Sequence, residues 1–229
     1  MVKLLTMSVW GDNPRYIAGA KEQVKLAYKF YPDFVVRIYT DNVEPFKTLL
    51  PWYDVELHER SDDNGVFWRF EPLFESEDNI VIVRDSDGRI TYRESVAVNE
   101  WLKSDKSFHT FRDHQSHLPD QQLTQMLAIK SKPFYYTNDQ VYLRDYVWPI
   151  VKNDSMIHQF DQPGWFKESR DKLVNRYSFC GNGYDEYDMP LYPPTLEECV
   201  NFNPSEVDLK YKFDRGILTD ESICNSTYA

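Results

Sequence analysis

The sequence predicts an α/β fold, with a Rossmann-like, mainly parallel central sheet flanked by helices. Three observations lead to this prediction. The chain opens with an apolar strand, a breaker and a helix that has one apolar stripe. Apolar, β-branched strands then alternate with helical segments as far as about residue 175. The length of 229 residues and the 41% hydrophobic content allow one domain with a substantial core.

The first three elements form a βαβ unit. Residues 3–10 are rich in Leu, Val and Met, and Gly11 to Pro14 interrupt them. Residues 15–30 repeat apolar side chains at helical spacing, whereas residues 34–39 are β-branched and aromatic. Because crossovers between parallel strands are right-handed, the two strands are expected to lie in one parallel sheet.

The remaining elements continue this alternation. We expect helices over residues 42–50, 66–74, 93–102, 121–128 and 139–151. We expect strands over residues 54–57 and 80–83 and near Phe108. Past about residue 175 the pattern weakens. The prediction is therefore a single domain over 1–229, with its core over about 1–180 and a C-terminal extension over about 181–229.

Composition excludes several partners and compartments. The net charge of −11 would repel phosphate backbones, which disfavours nucleic acid as a partner. No apolar run approaches the roughly 18 residues of a membrane span. The three cysteines have no metal-ligand spacing and do not suggest a disulfide framework, so we expect a reducing, cytoplasmic location, or the host cytoplasm for a viral protein. The oligomeric state is not predicted.

Two carboxylates follow the most apolar strand. Residues 80–83 are Ile and Val only, and Asp85 and Asp87 come directly after them. Ligands bind at the carboxyl ends of strands in such sheets, and two close carboxylates suit Mn²⁺ or Mg²⁺ together with substrate phosphates. Arg84 and Arg89 flank the pair and are expected to hold phosphate or the acids. The alternative is an acidic surface turn, because Asp, Ser and Gly are ordinary turn residues.

The run Arg84-Asp85-Ser86-Asp87-Gly88 resembles the Asp-x-Asp segment of nucleotide-sugar glycosyltransferases with the GT-A fold, and in particular a bacterial and large-DNA-virus group. The likeness covers roughly residues 3–180 and is specific in combination. The segments that carry it are residues 8–12, 39–41, 68–73, 81–90, 92–94, 97–102, 108–109 and 112–114.

The resemblance implies a metal-dependent hexosyltransferase that moves a sugar from a UDP-sugar, such as UDP-glucose, to a glycan or other hydroxyl acceptor, with retention. The implied metal is Mn²⁺ or Mg²⁺, with Asp85, Asp87 and a late third ligand, His158. The implied catalytic residues are Asp139 and Gln140, which resemble a segment beneath the donor sugar. The predicted nucleotide-sugar-binding residues are Val9, Trp10, Gly11, Tyr39, Asp41, Arg69, Arg84, Asp85, Ser86 and Asp87.

Other interpretations remain open. A sugar-phosphate nucleotidyltransferase shares the sheet and the acidic site, but it would want a Gly-rich basic loop after the first strand, which Trp10 to Asn13 do not provide. A non-catalytic nucleotide-sugar-binding module would not need residues 139–140.

For Asp139 a helix cap is the alternative role. A zinc site is an alternative role for the histidines at 109, 114 and 117, although their spacing matches no recognised zinc pattern. The glycosyltransferases that the chain resembles usually have a Gly-Gly pair at the position of residues 123–127, and this chain does not. That region usually faces the sugar or the acceptor, so the resemblance does not identify either one.

Overall fold

The fold is described from a computed structural model of the chain. The structure describes residues 2–76, 78–112, 139–159, 181 and 183–188. The predicted helix over 121–128, as well as His114, His117 and residues 123–127, lies outside the described residues.

Four parallel strands form the central sheet. They are β1 (Lys3–Val9), β2 (Val35–Thr40), β3 (Val55–Glu59) and β4 (Ile80–Arg84), and their order is β3-β2-β1-β4. β1 pairs with both β2 and β4 in parallel register. The predicted α/β architecture with a parallel, helix-flanked sheet is confirmed. This order is that of the first four strands of a Rossmann-like sheet.

Local sequence signals explain the two longest helices. α1 (Pro14–Phe30) begins with proline at its first position, and the Asn13 side chain accepts a hydrogen bond from the Arg15 amide (3.0 Å). α4 (Tyr92–Leu102) begins after Thr91, whose hydroxyl accepts from the Glu94 amide (3.0 Å). Both caps satisfy amides that a helix start leaves without a backbone acceptor.

The helices after β2 and β3 are shorter than predicted. Residues 42–50 contain a 3-10 helix, Glu44–Leu49. Residues 66–74 form two four-residue helices, α2 (Gly65–Trp68) and α3 (Pro72–Glu75), instead of one. The break between them contains Arg69, whose backbone is hydrogen bonded to β1.

A second, two-stranded parallel sheet joins β5 (Phe108–Arg112) to β6 (Ser155–Gln159). The predicted helix over 139–151 is confirmed as a helical segment of mixed geometry. It consists of α5 (Asp139–Tyr142), a π-helical turn (Leu143–Val147) and α6 (Trp148–Val151), followed by a 3-10 turn (Lys152–Asp154).

Two apolar clusters cover the two faces of the central sheet. On one face, Leu5 and Met7 of β1 and Ile82 of β4 pack with residues of α1 and α4. On the other, Leu4, Val81 and Val83 pack with residues of α3 and of the helical segment 139–151. Successive strand residues point to opposite faces, so β1, β2 and β4 contribute to both clusters.

The chain order places a topological switch point between β1 and β4. The connection from β1 leads to β2 on one side, and the connection from β3 crosses to β4 on the other. The loops after β1 and β4 therefore lie side by side at the carboxyl edge of the sheet, the place where open α/β sheets form a ligand-binding crevice.

Candidate functional site

Asp85 and Asp87 lie in the loop that follows β4, at the crevice. β1 pairs with β4 as far as Met7 opposite Arg84, so this loop begins beside the end of β1. The Asp85 side chain is 60% exposed, whereas the Asp87 side chain is 12% exposed. One carboxylate is therefore open to solvent, and the other is largely buried.

Helix α1 holds this loop through Arg15 and Gln23. The Arg15 guanidinium forms an ion pair with the Asp87 carboxylate. The Gln23 side chain, which is fully buried, donates to the Asp85 carbonyl oxygen (2.9 Å). α1 thus fixes both the backbone and one carboxylate of the Asp-x-Asp segment.

Gly19 allows α1 to approach this loop closely. A Cβ atom at Gly19 would lie 2.4 Å from the Ser86 carbonyl oxygen and 2.9 Å from the Asp87 Cα. Real Cβ atoms do not approach backbone atoms so closely, so a side chain at Gly19 would displace the loop. Ser86, predicted to bind the nucleotide sugar, is buried at this contact with 5% exposure.

Arg69 connects three parts of the site. Its guanidinium forms ion pairs with Asp85 and with Asp139, and it donates to the Arg84 carbonyl oxygen (2.9 Å). Asp139 is buried at the start of α5. The structure therefore brings the predicted catalytic residue Asp139 beside the Asp-x-Asp segment. Gln140 follows it in α5.

Two hydroxyl groups of β1 hold the backbone of Arg69. The Thr6 hydroxyl donates to the Arg69 carbonyl oxygen (2.7 Å), and the Arg69 amide donates to the Ser8 hydroxyl (2.9 Å). Thr6 and Ser8 share the sheet face of Leu4, which explains two buried polar residues in an apolar strand. The central strand thereby positions the guanidinium.

The charged groups shift one another's pKa values in opposite directions. The positive charge of Arg69 lowers the pKa of Asp85 and outweighs its desolvation. Burial raises the pKa of Asp87, the charge of Asp85 adds to this effect, and the Arg15 guanidinium opposes it. Burial disfavours the charge of Arg69, but Asp85 and Asp139 more than compensate, so its pKa lies above the ordinary value. The two carboxylates of the loop are thus close enough to repel each other.

The donor set of the loop fits a hard divalent cation. Asp85 and Asp87 supply carboxylate oxygens at one crevice, and a cation would relieve the repulsion between them. Among the described residues, no group of three or more His, Cys, Asp or Glu side chains could hold a metal. Mg²⁺ sites commonly combine one or two protein carboxylates with phosphate oxygens and water.

His158, the predicted third ligand, has other partners. Its Nδ1 lies 2.6 Å from Nε2 of His109, and its Nε2 lies 3.3 Å from a Glu100 carboxylate oxygen. The structure does not join His158 with Asp85 and Asp87 in a metal-binding group within the described part of the chain. His158 is on β6, in the second sheet, and the spacing of residues along the chain did not reveal this.

The flanking arginines are bound to acidic partners. Arg84 shares its sheet face with Ile82 and forms a buried ion pair with Glu94 of α4. Arg89 forms an ion pair with Asp188. Strand alternation turns Arg84 toward Glu94 of α4, whereas Arg89 also donates to the Asp87 carbonyl oxygen (3.0 Å). A phosphate contact of either arginine stays a prediction.

The loop after β1 carries the predicted nucleoside-binding residues. The Gly11 amide donates to the Asp41 carboxylate (2.9 Å), which ties this loop to the loop after β2. Gly11 has φ 74°, a conformation that favours glycine. Val9 is buried in the core, whereas Trp10 is 49% exposed and packs against Trp68.

Tyr39 lies below the surface of the crevice. Its ring is fully buried, its hydroxyl accepts from Arg37 (3.2 Å), and burial raises its pKa to about 12. The ring therefore cannot contact a base without a rearrangement. Of the residues predicted from the end of β2, only Asp41 is exposed beside the loop after β1.

Two features of the site were not predicted from sequence. Arg15 was missed, although it follows the β1 loop and Pro14 directly. Residues 183–188, expected to be a loop in the extension, contact the site: the Tyr184 amide donates to the Asp87 carbonyl oxygen (2.9 Å), and the Arg89 guanidinium stacks 4.7 Å from the Tyr184 ring centroid. No local signal connects residues almost one hundred positions apart.

The fold and the site define an α/β protein with a carboxylate and guanidinium cluster at the switch point of a parallel sheet. No protein-family model and no curated protein matches the chain. Within the described residues, no helix has both the length and the apolar character needed to cross a membrane.

Proposed function

We propose that this protein is a metal-dependent glycosyltransferase with a GT-A-like fold. It transfers a hexose from a UDP-sugar, such as UDP-glucose, to a glycan or other hydroxyl acceptor, with retention. One observation carries the proposal: Asp85 and Asp87 lie at the carboxyl end of β4, at the switch point, with Arg15 and Arg69 beside them. This arrangement suits a diphosphate that is bound together with a cation.

Asp85 and Asp87 would hold Mn²⁺ or Mg²⁺ in this proposal. When bound, such an ion offsets the negative charge of a departing diphosphate. Arg69 keeps the Asp85 carboxylate at the mouth of the crevice, and Gln23 fixes the backbone of the same residue. The Asp85 carboxylate is therefore already held in place for a ligand, which is the benefit of a preorganised site.

The loop after β1 would receive the nucleoside. Trp10 offers an exposed ring on which a base can stack, and Gly11 and Asp41 hold the loop in place. The uridine preference comes from the resemblance of residues 8–12 and 39–41 to the GT-A group.

Asp139 is the candidate group beneath the donor sugar. Sugar transfer develops positive charge at the anomeric carbon, and a nearby carboxylate stabilises such charge. Arg69 holds the Asp139 carboxylate beside the Asp-x-Asp segment, where the sugar attached to a bound diphosphate would lie. Gln140 is the second polar candidate, because it follows Asp139 in α5.

A panel of donors tests this function. Thermal stability is measured with UDP-glucose, UDP-galactose, UDP-N-acetylglucosamine, GDP-mannose and ADP-glucose, each with MnCl₂ or with EDTA. A preferred donor stabilises the protein by mass action, so a UDP-sugar with Mn²⁺ should give the largest rise in Tm. Slow release of UDP from that donor, with water as acceptor, should accompany binding.

The same panel separates the alternatives. A nucleotidyltransferase would release pyrophosphate from UTP and a sugar 1-phosphate. A binding module would bind the donor and release no UDP on prolonged incubation. If no nucleotide sugar raises Tm with Mn²⁺ present, the proposed function is wrong.

A further inference from the structure

Arg15 lies beside Asp87, but the function proposed above assigns it no ligand. It is the second residue of α1, directly after the loop that follows β1, and its side chain is 29% exposed. Its guanidinium reaches the Asp87 carboxylate on the opposite loop. Within the described part of the chain, its Nε has no hydrogen-bond partner. The group therefore has donor capacity beyond its contact with Asp87.

The charges around Arg15 do not balance. Asp85, Asp87 and Asp139 contribute three negative charges, and Arg15 and Arg69 contribute two positive ones. The other arginines of this region are already matched, since Arg84 pairs with Glu94 and Arg89 pairs with Asp188. Among the residues that the structure describes, the cluster is thus left with one net negative charge. A diphosphate alone would meet repulsion here, whereas a divalent cation reverses the sign and attracts it.

A cation on Asp87 competes directly with Arg15. The guanidinium cannot lose its proton, so the arrival of two positive charges on the same carboxylate repels it. The nearest compensating anion is then the diphosphate that shares the cation. Arginine binds phosphate oxygens well, because its fork of N–H donors matches their geometry.

From these contacts we infer that Arg15 is a diphosphate-binding residue that couples cation binding to nucleotide binding: it pairs with Asp87 in the ligand-free protein and turns to the diphosphate when the cation takes Asp87. This inference rests on the proposed function, since it assumes a nucleoside diphosphate and a cation at Asp85 and Asp87. The expected consequence is that each ligand binds weakly alone and that each strengthens the other.

Isothermal titration calorimetry tests the coupling in the full chain. MnCl₂ alone, each of UDP, GDP and ADP alone, and each nucleotide with MnCl₂ are titrated into wild type and Arg15→Gln. In wild type, Mn²⁺ should lower the Kd of the preferred nucleotide at least tenfold. Arg15→Gln should bind Mn²⁺ alone at least as tightly as wild type does. Its Kd for the nucleotide in the presence of Mn²⁺ should be at least tenfold higher than that of wild type.

Two further variants serve as controls. Arg15→Lys keeps the positive charge but loses the forked N–H donors of the guanidinium. Its Kd for the nucleotide with Mn²⁺ should therefore lie between those of wild type and Arg15→Gln. Lys3 pairs with Asp33 at the amino end of β1, and its side chain is about as exposed as that of Arg15. Lys3→Gln removes this positive charge and should change none of the constants. Melting temperatures confirm that all variants are folded.

The outcomes distinguish this inference from the proposed function. If wild type binds a nucleoside diphosphate only with Mn²⁺ and both Arg15 variants match it, the role of Arg15 is wrong and the proposed function stands. The role is also wrong if Arg15→Gln loses affinity for Mn²⁺ alone. If wild type binds none of the three nucleotides with Mn²⁺, both proposals fail.

Discussion

Arg69 and Asp139 form an ion pair although they are 70 residues apart in the chain. Both side chains are largely buried, with 13% and 11% exposure. The same guanidinium also binds Asp85, whose side chain is 60% exposed. Arg69 therefore links the start of the helical segment 139–151 to the loop after β4, and the first prediction below depends on this link.

The first prediction concerns this ion pair. Asp139→Asn should lower kcat at least ~100-fold, a loss typical of removing one preorganised electrostatic group, while the Kd for the donor stays near that of wild type. It should also cost about 1–3 kcal/mol of unfolding free energy, because Arg69 loses a buried partner.

A double-mutant cycle separates the ion pair from a helix cap. Arg69→Gln, Asp139→Asn and the double variant are compared by urea unfolding. An ion pair predicts coupling of about 0.5–3 kcal/mol. A second double-mutant cycle, between Arg69 and the exposed Asp85, should give a smaller coupling energy than the cycle with Asp139, because water screens the Arg69–Asp85 pair. Additive effects for Asp139, together with normal kcat, would show that the residue only caps the helix.

The second prediction concerns the cation. Asp87→Asn should abolish the Mn²⁺-dependent rise in Tm with the donor, and EDTA should do the same to wild type. Because burial raises the pKa of Asp87, the fold already disfavours its charge, and the neutral amide should change Tm little without ligand. Asp33→Asn, at the amino edge of the sheet, is the matched control. Undiminished turnover in EDTA would contradict a metal-dependent mechanism.

The third prediction concerns the nucleoside. Trp10→Ala should raise the Kd for UDP roughly tenfold or more, because the stacking of a base on an aromatic ring is worth about 1–3 kcal/mol. Trp10→Phe should recover most of the affinity. Trp52, which is 75% exposed and precedes β3 at the amino edge, provides the control Trp52→Ala. Equal affinity of wild type and Trp10→Ala would remove Trp10 from the site.

The fourth prediction concerns Gly19. In an exposed helix, Gly→Ala stabilises by roughly 0.5–1 kcal/mol. At Gly19 the sign should reverse, because the new Cβ would lie 2.4 Å from the Ser86 carbonyl oxygen. Unfolding free energy should fall, and Mn²⁺ with donor should bind more weakly as the Asp-x-Asp loop shifts. Lys21→Ala, on the same helix, tests the effect of helix propensity alone, without a contact to the Asp-x-Asp loop. A more stable Gly19→Ala would show that α1 and the loop are less closely packed.

The fifth prediction concerns pH. His109 is fully buried, and burial, together with the charge of His158, lowers its pKa well below the ordinary value of 6.5. Below about pH 6.5 this histidine is protonated in the unfolded chain but stays neutral in the folded protein. The stability contributed by neutral His109 is therefore complete above pH 6.5 and declines as pH falls, by at most about 1.4 kcal/mol per pH unit.

Urea unfolding at pH 7.5 and pH 5.5 measures this dependence. His109→Gln keeps a polar side chain but cannot titrate, so its unfolding free energy should vary less between the two pH values than that of wild type. His158 and Glu100, which also face this cluster, are present in both proteins. Identical pH dependence in both would mean that His109 does not titrate differently in the two states.

Much of the fold follows from short-range patterns. β1, α1, β2 and β4 were predicted from apolar runs, helical spacing and the breaker at Gly11 to Pro14. The region 66–74 was predicted as one helix and forms two, α2 and α3. Hydrogen bonds from Thr6 and Ser8 hold Arg69 in the break between them, and helical periodicity contains no information about such long-range bonds.

The sequence by itself determined the parallel α/β architecture and the position of Asp85 and Asp87 at the end of an apolar strand. Both follow from local chemistry, since side-chain spacing selects helix or strand and a strand end exposes the residues after it. Only the tertiary structure decided that Arg15 meets Asp87, that Arg69 meets Asp139, and that Arg84 turns to Glu94. These partners depend on the strand order and on the face of the sheet to which each side chain points, and a carboxylate in a folded chain pairs with whichever guanidinium the packing brings within reach.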